Sequence, residues 1–408
     1  MIATLIPLFD DQMSVRAYSI FAQRENYFLD PIHAAGTSRL DNAMRVEGFE
    51  IIESMGLETL SEDREVFLPL LNVTLFTDLP SFSDAPHEQI VFLIDETVTT
   101  DEKFVNRIRE LRDMGYKFAI RRIPLSRFGD YQPILELMDF VLLDHSSIDI
   151  RKAKIMFDKI YPNLRIVAVN VNTQEDYIKL KKLGGFDLYE GSFFRMPMDT
   201  QDTEIAPLKA TYVELLRVVN QPDFDLTDAA DVIGRDTALV LSLLEMVNHM
   251  TINSDITSVR HAAAMLGQTE LKKWINTAVT KELCADKPSE ITRLSLIRAK
   301  FAEGLAQQFE MGQLSSELFL MGLFSVLDIV LDKPMAEALK SVSISKPISD
   351  ALIHHTGSYA TVLEFIEAYE GASWQEVSRR MILGDMDMDK VYGAYLEALK
   401  WYRDLISL

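Results

Sequence analysis

Two hydrophobic periodicities divide the chain near residue 200. In the first part, short apolar runs at residues 15–21, 66–73, 89–95, 117–124, 140–144, 165–171 and 187–194 read as strands. Between them lie stretches with apolar residues every three or four positions, at 101–114, 133–138, 148–161 and 173–183. An earlier helical stretch carries Leu40, Ala43, Met44, Phe49 and Ile52 on one face. The run at 66–73 is almost wholly apolar, as in a strand buried on both sides. Apolar strands alternating with amphipathic helices make parallel βα units. So many in succession predict an α/β fold closed into a TIM-like (β/α) barrel. Polar functional groups are then expected at the C-terminal ends of the strands.

Beyond residue 205 the strand pattern stops. Apolar groups recur at helical spacing through Leu215, Leu216 and Val219, through Leu239, Leu243 and Val247, and onward to Tyr395, Leu399 and Tyr402. This predicts an all-α second domain at 206–408, joined to the barrel (1–198) by the polar, acidic linker 199–205. The segment 225–250 has the outline of a helix-turn-helix, a shape common in helical domains.

Charge narrows the function. Sixty-two acidic against 41 basic residues give a formal net charge of −21. Such a surface repels phosphate backbones and anionic lipid, so neither DNA nor a membrane is the expected partner. The longest apolar run, 318–327, is far short of the ~20 residues that cross a bilayer. The N-terminal residues lack a positively charged stretch and meet Asp10-Asp11 early, which is not a signal-peptide pattern. The one cysteine, Cys284, fits a reducing cytoplasm and reads as a small buried hydrophobe. Adjacent His354 and His355 diverge by ~100° on a helix, so they suit a helix end better than a metal.

The strand ends carry a recurring pattern. Leu71-Asn72-Val73-Thr74, Ile94-Asp95-Glu96-Thr97, the run through Arg121-Arg122, Val141-Leu142-Leu143-Asp144, Val169-Asn170-Val171-Asn172 and Tyr189-Glu190-Gly191 succeed one another in order. In this order and spacing, residues 1–200 resemble an EAL domain, the bacterial cyclic-di-GMP phosphodiesterase barrel. The resemblance implies a two-metal hydrolase whose carboxylates and Asn hold divalent cations. At the matching positions this chain departs from that set. The signature Glu falls on Ser19, the Asn is kept as Asn72, and a ligand Glu becomes Leu93 while Glu96 remains. The paired aspartates become Arg121 and Arg122, and a Lys becomes Leu142 while Asp144 remains. Two further acids become Val169 and Asn172, and a Gln becomes Glu190.

Ser19, Asn72, Glu96, Arg121, Arg122, Asp144, Asn172 and Glu190 are therefore the candidate site, with no catalytic residue, metal or cofactor expected. Two readings of the arginines stand. The favoured one pairs them with Asp95, Glu96, Asp144 or Glu190 as an ionic plug. The other has guanidinium forks holding a phosphate, such as that of a cyclic dinucleotide, directly.

In the second half, 223–249 and Ile256-Thr257-Ser258-Val259-Arg260-His261-Ala262-Ala263-Ala264-Met265-Leu266-Gly267 resemble an HDOD domain. That family comprises helical relatives of HD phosphohydrolases, thought to act through regulatory contacts. Where an HD enzyme has Gly-Leu-Leu-His-Asp, this chain has Gly322-Leu323-Phe324-Ser325-Val326. Together the halves resemble the bacterial EAL-HDOD signalling proteins. The expectation is a non-catalytic cytoplasmic protein that contacts signalling proteins through its helical domain, with residual phosphohydrolase activity at that domain as the further alternative. Dimerisation through the barrel is implied by analogy alone.

Overall fold

The computed structural model describes residues 1–26, 28, 46–195, 207–221, 223–250 and 256–407. The expected linker 199–205 and Leu40, Ala43 and Met44 of the predicted early helix lie outside these residues. The chain divides into two compact units, Met1–Met196 together with Phe365–Leu408, and Pro197–Glu364.

The first unit is built on eight strands: β1 (Ile2–Phe9), β2 (Val15–Gln23), β3 (Glu65–Pro69), β4 (Ile90–Ile94), β5 (Lys117–Arg121), β6 (Phe140–Asp144), β7 (Arg165–Val169) and β8 (Leu188–Glu190). They close into a barrel in sequence order. β2 to β8 are mutually parallel, while β1 pairs antiparallel with both β2 and β8. The apolar pattern alone starts the barrel at β2 with every strand parallel, an expectation that β1 corrects. The reason is local: residues 10–14 form a tight turn rather than a helix. There the Asp10 carboxylate accepts from the backbone N–H of Gln12 (2.8 Å) and Ser14 (2.9 Å), and Met13 takes φ 62°.

Helices α1 (Glu47–Met55), α2 (Glu102–Asp113), α3 (Ile150–Ile160) and α4 (Gln174–Leu183) connect later strands. Thr173 caps α4 by accepting from Asp176 N (3.1 Å), as its sequence position suggests. Inside the barrel, Leu8, Ala17, Phe67, Val91, Ala119 and Phe140 are among the members of one apolar cluster. Side chains alternate faces along a strand, so residues two beyond these cluster members also point inward.

The second unit is helical: α5 (Pro207–Val219), α6 (Leu226–Ile233), α7 (Thr237–Met250), α8 (Val259–Leu283), α9 (Ser289–Leu305), α10 (Ser315–Phe324) and α11 (Lys346–His354). α8 is kinked at Gly267, whose φ of 74° only glycine adopts without strain. α9 and α10 pack backbone to backbone at Gly322, where an added Cβ would lie 2.5 Å from Arg298 O.

The chain then returns to the barrel through α12 (Ser358–Glu370), α13 (Trp374–Leu383) and α14 (Met388–Ser407). Helical periodicity alone assigns 206–408 to one helical domain, whereas Phe365–Leu408 packs with the strands. No helix follows β1, so its outer side needs another cover. α14 lies against β1, Tyr369 Oη accepts from Ala3 N at 3.2 Å, and Tyr369 packs on Trp374 and Tyr395. Among the described residues no helix is long and apolar enough to cross a membrane.

Candidate functional site

Three of the candidate residues converge inside the barrel. Ala17, Ala119 and Leu188 belong to the interior cluster, so Ser19, Arg121 and Glu190, each two residues on, face inward at the strand ends. Ser19 is fully buried and its hydroxyl donates to Glu190 Oε2 at 3.2 Å. Burial raises the Glu190 carboxyl above its ordinary value, against the opposing pull of the Ser19 hydroxyl and the Arg121 charge. Burial lowers Arg121, and Arg122 pushes it the same way, while Glu190 and Asp95 oppose. The Arg121 guanidinium lies over the Phe21 ring, 5.6 Å from its centroid, and its buried Nε has no hydrogen-bond partner.

Arg121 also borders a pocket of about 250 Å³ whose other walls include Phe21, Pro69, Leu71 and Trp374. Trp374 enters from α13, more than 250 residues away in sequence, and no local motif announces it. Gln23 Nε2 to Ser378 Oγ (3.3 Å) and Asn26 Nδ2 to Ser378 O (3.0 Å) hold that helix in place.

The other five candidates do not join this group. Arg122 is exposed, with φ 61° turning it from the strand. Asn72 Nδ2 donates to Thr97 O at 3.2 Å. Glu96 is exposed and contributes a carbonyl to the Tyr131 hydroxyl at 2.8 Å. Asn172 Oδ1 accepts from Ser192 N (3.3 Å) and Ser192 Oγ (3.1 Å). Asp144 accepts from Ser146 N, Ser146 Oγ, Ser147 Oγ and Asn170 Nδ2 at 2.6–2.9 Å. Burial raises its carboxyl, but these donors outweigh that and hold it down at about 2.

The expected ionic plug is therefore corrected. Among the described residues neither Arg121 nor Arg122 forms an ion pair. Asp144 is taken by its own loop and Glu190 by Ser19, while Arg121 lies on an aromatic ring. Leu93 and Leu142, at positions where the resemblance puts charged residues, are part of the apolar barrel cluster, and Val169 packs against it.

In the helical unit, Ser325 and Val326 stand where an HD enzyme would have His and Asp. Arg298 Nη1 donates to Ser325 Oγ at 3.0 Å. Nearby, burial raises the Asp328 carboxyl, whose Oδ1 is buried without a hydrogen-bond partner. Cys284 is buried and its thiol is pushed up to about 11. His354 ends α11 and His355 caps it with φ 50°, both exposed. Among the described residues no three His, Cys, Asp or Glu side chains gather as a metal site.

Comparison with known proteins places these units among relatives. Residues 205–344 match the family model of the HDOD domain. The chain is 28% identical over 366 residues to the uncharacterized protein YuxH of Bacillus subtilis, covering 87% of each. It is also 28% identical over 328 residues to the cyclic di-GMP phosphodiesterase CdgJ of Vibrio cholerae, covering 79% of this chain and 75% of that one. Among solved structures, Klebsiella pneumoniae BlrP1 with calcium and cyclic-di-GMP is 18% identical, with a TM-score of 0.37. That alignment takes in 47% of this chain and about half (54%) of BlrP1. A standalone EAL protein from Vibrio cholerae O395 aligns over 47% of this chain and 89% of its own, at 16% identity and a TM-score of 0.34.

Proposed function

From this EAL-HDOD architecture, an EAL-like barrel ahead of an HDOD domain, we propose a non-hydrolysing cytoplasmic signalling protein of a cyclic-di-GMP-related network. In this reading the barrel is a TIM-like (β/α) barrel of EAL type with its first strand reversed. It serves as sensor or scaffold, and the HDOD domain contacts protein partners.

The observation that carries the reading is the chemistry of the barrel mouth. Where the resemblance implies a cage of oxygens around two divalent ions, the chain sets the Arg121 guanidinium, with Leu93, Leu142 and Val169 in or against the apolar interior. A unit charge ~4 Å from another is worth about 4 kcal/mol at an effective dielectric near 20, and a divalent ion about twice that. Exchanging attraction for repulsion at one ligand position outweighs what the remaining donors restore. Asp144 and Asn172 are already engaged by Ser146, Ser147, Asn170 and Ser192. This donor set does not fit a metal pair. CdgJ carries the name of a phosphodiesterase, so turnover is the discriminating test. The purified full chain is expected to release no linear dinucleotide from cyclic-di-GMP in Mg²⁺ or Mn²⁺, and metal-dependent release would overturn the proposal.

A second reading makes the barrel a receptor. It is favoured by the unpartnered Arg121 Nε beside a pocket walled by Phe21 and Trp374. At about 250 Å³ that pocket lies below the ~300–1,000 Å³ of drug-sized sites. It would take one base or phosphate group of a cyclic dinucleotide, with the remainder in solvent. Calorimetry with cyclic-di-GMP is expected to give saturable heat that Arg121→Met and Trp374→Ala both abolish. No heat from the unsubstituted protein would remove this reading.

A further inference from the structure

The helical unit contains a second pocket, of about 270 Å³, unconnected with the lost HD positions. Gln268, Thr269, Lys272 and Lys273, just beyond the kink of α8, form one wall. Phe224 and the start of α10 form the others. On the far side of Phe224 and Gln268 lies a wider hollow of about 470 Å³. Gln268 Nε2 donates to Phe224 O at 2.7 Å, which holds the shared wall in place.

The charges here are unequally engaged. Lys273 is neutralised, with its ammonium 2.6 Å from Glu303 Oε1 and 4.7 Å from the centroid of the Phe319 ring. Arg260, in the adjoining hollow, pairs with Asp231 at 2.8 Å. The Glu317 carboxylate accepts from Ser345 Oγ at 2.9 Å and is hydrogen-bonded by Tyr359. Lys272 differs. It is half-buried, and among the described residues its ammonium forms no ion pair or hydrogen bond. Burial lowers its pKa, with the Glu317 charge opposing. A cation partly stripped of water and without a direct ion pair is a cost to the fold, and an anion supplied from solution would offset it. Beside it, Phe224 and Phe319 are buried and offer an apolar surface, while Gln221 and Ser316 offer hydrogen bonds.

We propose that this pocket binds a small anion with an aromatic or aliphatic body, its carboxylate or phosphate held by Lys272 and its body laid against Phe224 and Phe319. The overall charge of −21 repels anions at long range, so holding one in this pocket depends on a local cation, which Lys272 supplies. A cationic ligand is disfavoured, since it would face Lys272 while Glu317 is already satisfied.

The test is calorimetric titration of the full chain with 2-naphthoate, 1-naphthyl phosphate and the neutral 2-naphthylmethanol. At least one anion should bind ten-fold or more tightly than the neutral probe, and the tighter anion assigns the head group. Lys272→Met should erase that preference without lowering the thermal midpoint, because it removes a desolvated charge. Lys272→Gln should behave alike, Lys272→Arg should keep the preference, and the exposed control Lys346→Met should leave it unchanged. No heat from either anion, equal affinity for charged and neutral probes, or an unaltered preference in both Lys272→Met and Lys272→Gln would overturn the proposal.

Discussion

Gly322 allows the packing of the helical unit to be tested with one methyl group. It sits in α10, where glycine is less favourable than alanine by about 1 kcal/mol, so an exposed glycine there would be improved by substitution. Here a Cβ would lie 2.5 Å from Arg298 O, 2.6 Å from Arg298 C and 2.7 Å from Ala299 N. All three are backbone atoms of α9, so no rotamer change relieves the clash and the two helices must part by most of an ångström. Overpacking of this kind costs about 1–3 kcal/mol, and separating a buried helix pair falls at the upper end. After the propensity gain, Gly322→Ala should destabilise by about 1–2 kcal/mol. Gly393 in α14 is the control: nothing lies within 4 Å of its Cβ position, so Gly393→Ala should stabilise by about 0.5–1 kcal/mol. Urea denaturation followed by circular dichroism at constant m-value reads both. Equal stabilisation by the two substitutions would refute the close approach of α9 and α10.

Three further outcomes are expected. Tyr369→Phe should cost about 1–3 kcal/mol, because it leaves the buried Ala3 N–H without its acceptor; a change within error would argue that Phe365–Leu408 does not seal β1. Asp144 has a folded-state value of about 2, below its unfolded value, so its ionisation contributes stability above the unfolded value that is lost as pH falls through about 2. Asp144→Asn should therefore flatten the acid limb, lowering neutral-pH stability by about 1–2 kcal/mol after solvent screening, and an unchanged acid limb would contradict the network. Glu190 has the opposite sign: its value is raised on folding, so its burden appears as pH rises from the unfolded toward the folded value. Arg121→Met removes the opposing charge and should deepen that loss at pH 8 relative to pH 5, and adding Glu190→Gln should erase the difference. Parallel curves for the single variant and the unsubstituted protein would refute the coupling.

Much of the barrel was legible because buried parallel strands are short, apolar and separated by helices of clear period. The predicted run 140–144 coincides with β6, and 89–95 brackets β4. β1 was missed because Ile2–Phe9 is apolar without alternation and is followed by a turn, so nothing in its pattern distinguishes it from an extended lead-in. The return of Phe365–Leu408 was missed because helical periodicity says that a face is buried, but not against which neighbour. At the site, strand-end positions could be read from sequence, and side-chain alternation could have grouped Ser19, Arg121 and Glu190. Their companions could not. Trp374 reaches the pocket through tertiary packing alone, and direct ion pairs to the arginines do not form because Asp95, Asp144 and Glu190 each accept from a nearby hydroxyl instead.

The central claim is that the barrel mouth has exchanged a cation-binding cage for a guanidinium and an apolar wall. Titration of the full chain with Mn²⁺, followed by the electron paramagnetic resonance of the free aquo ion, tests it most directly. The expected signal rises in proportion to added metal, with no saturable uptake at the barrel. Tight uptake of two ions per chain, lost on substituting Asp144 or Glu190, would contradict it.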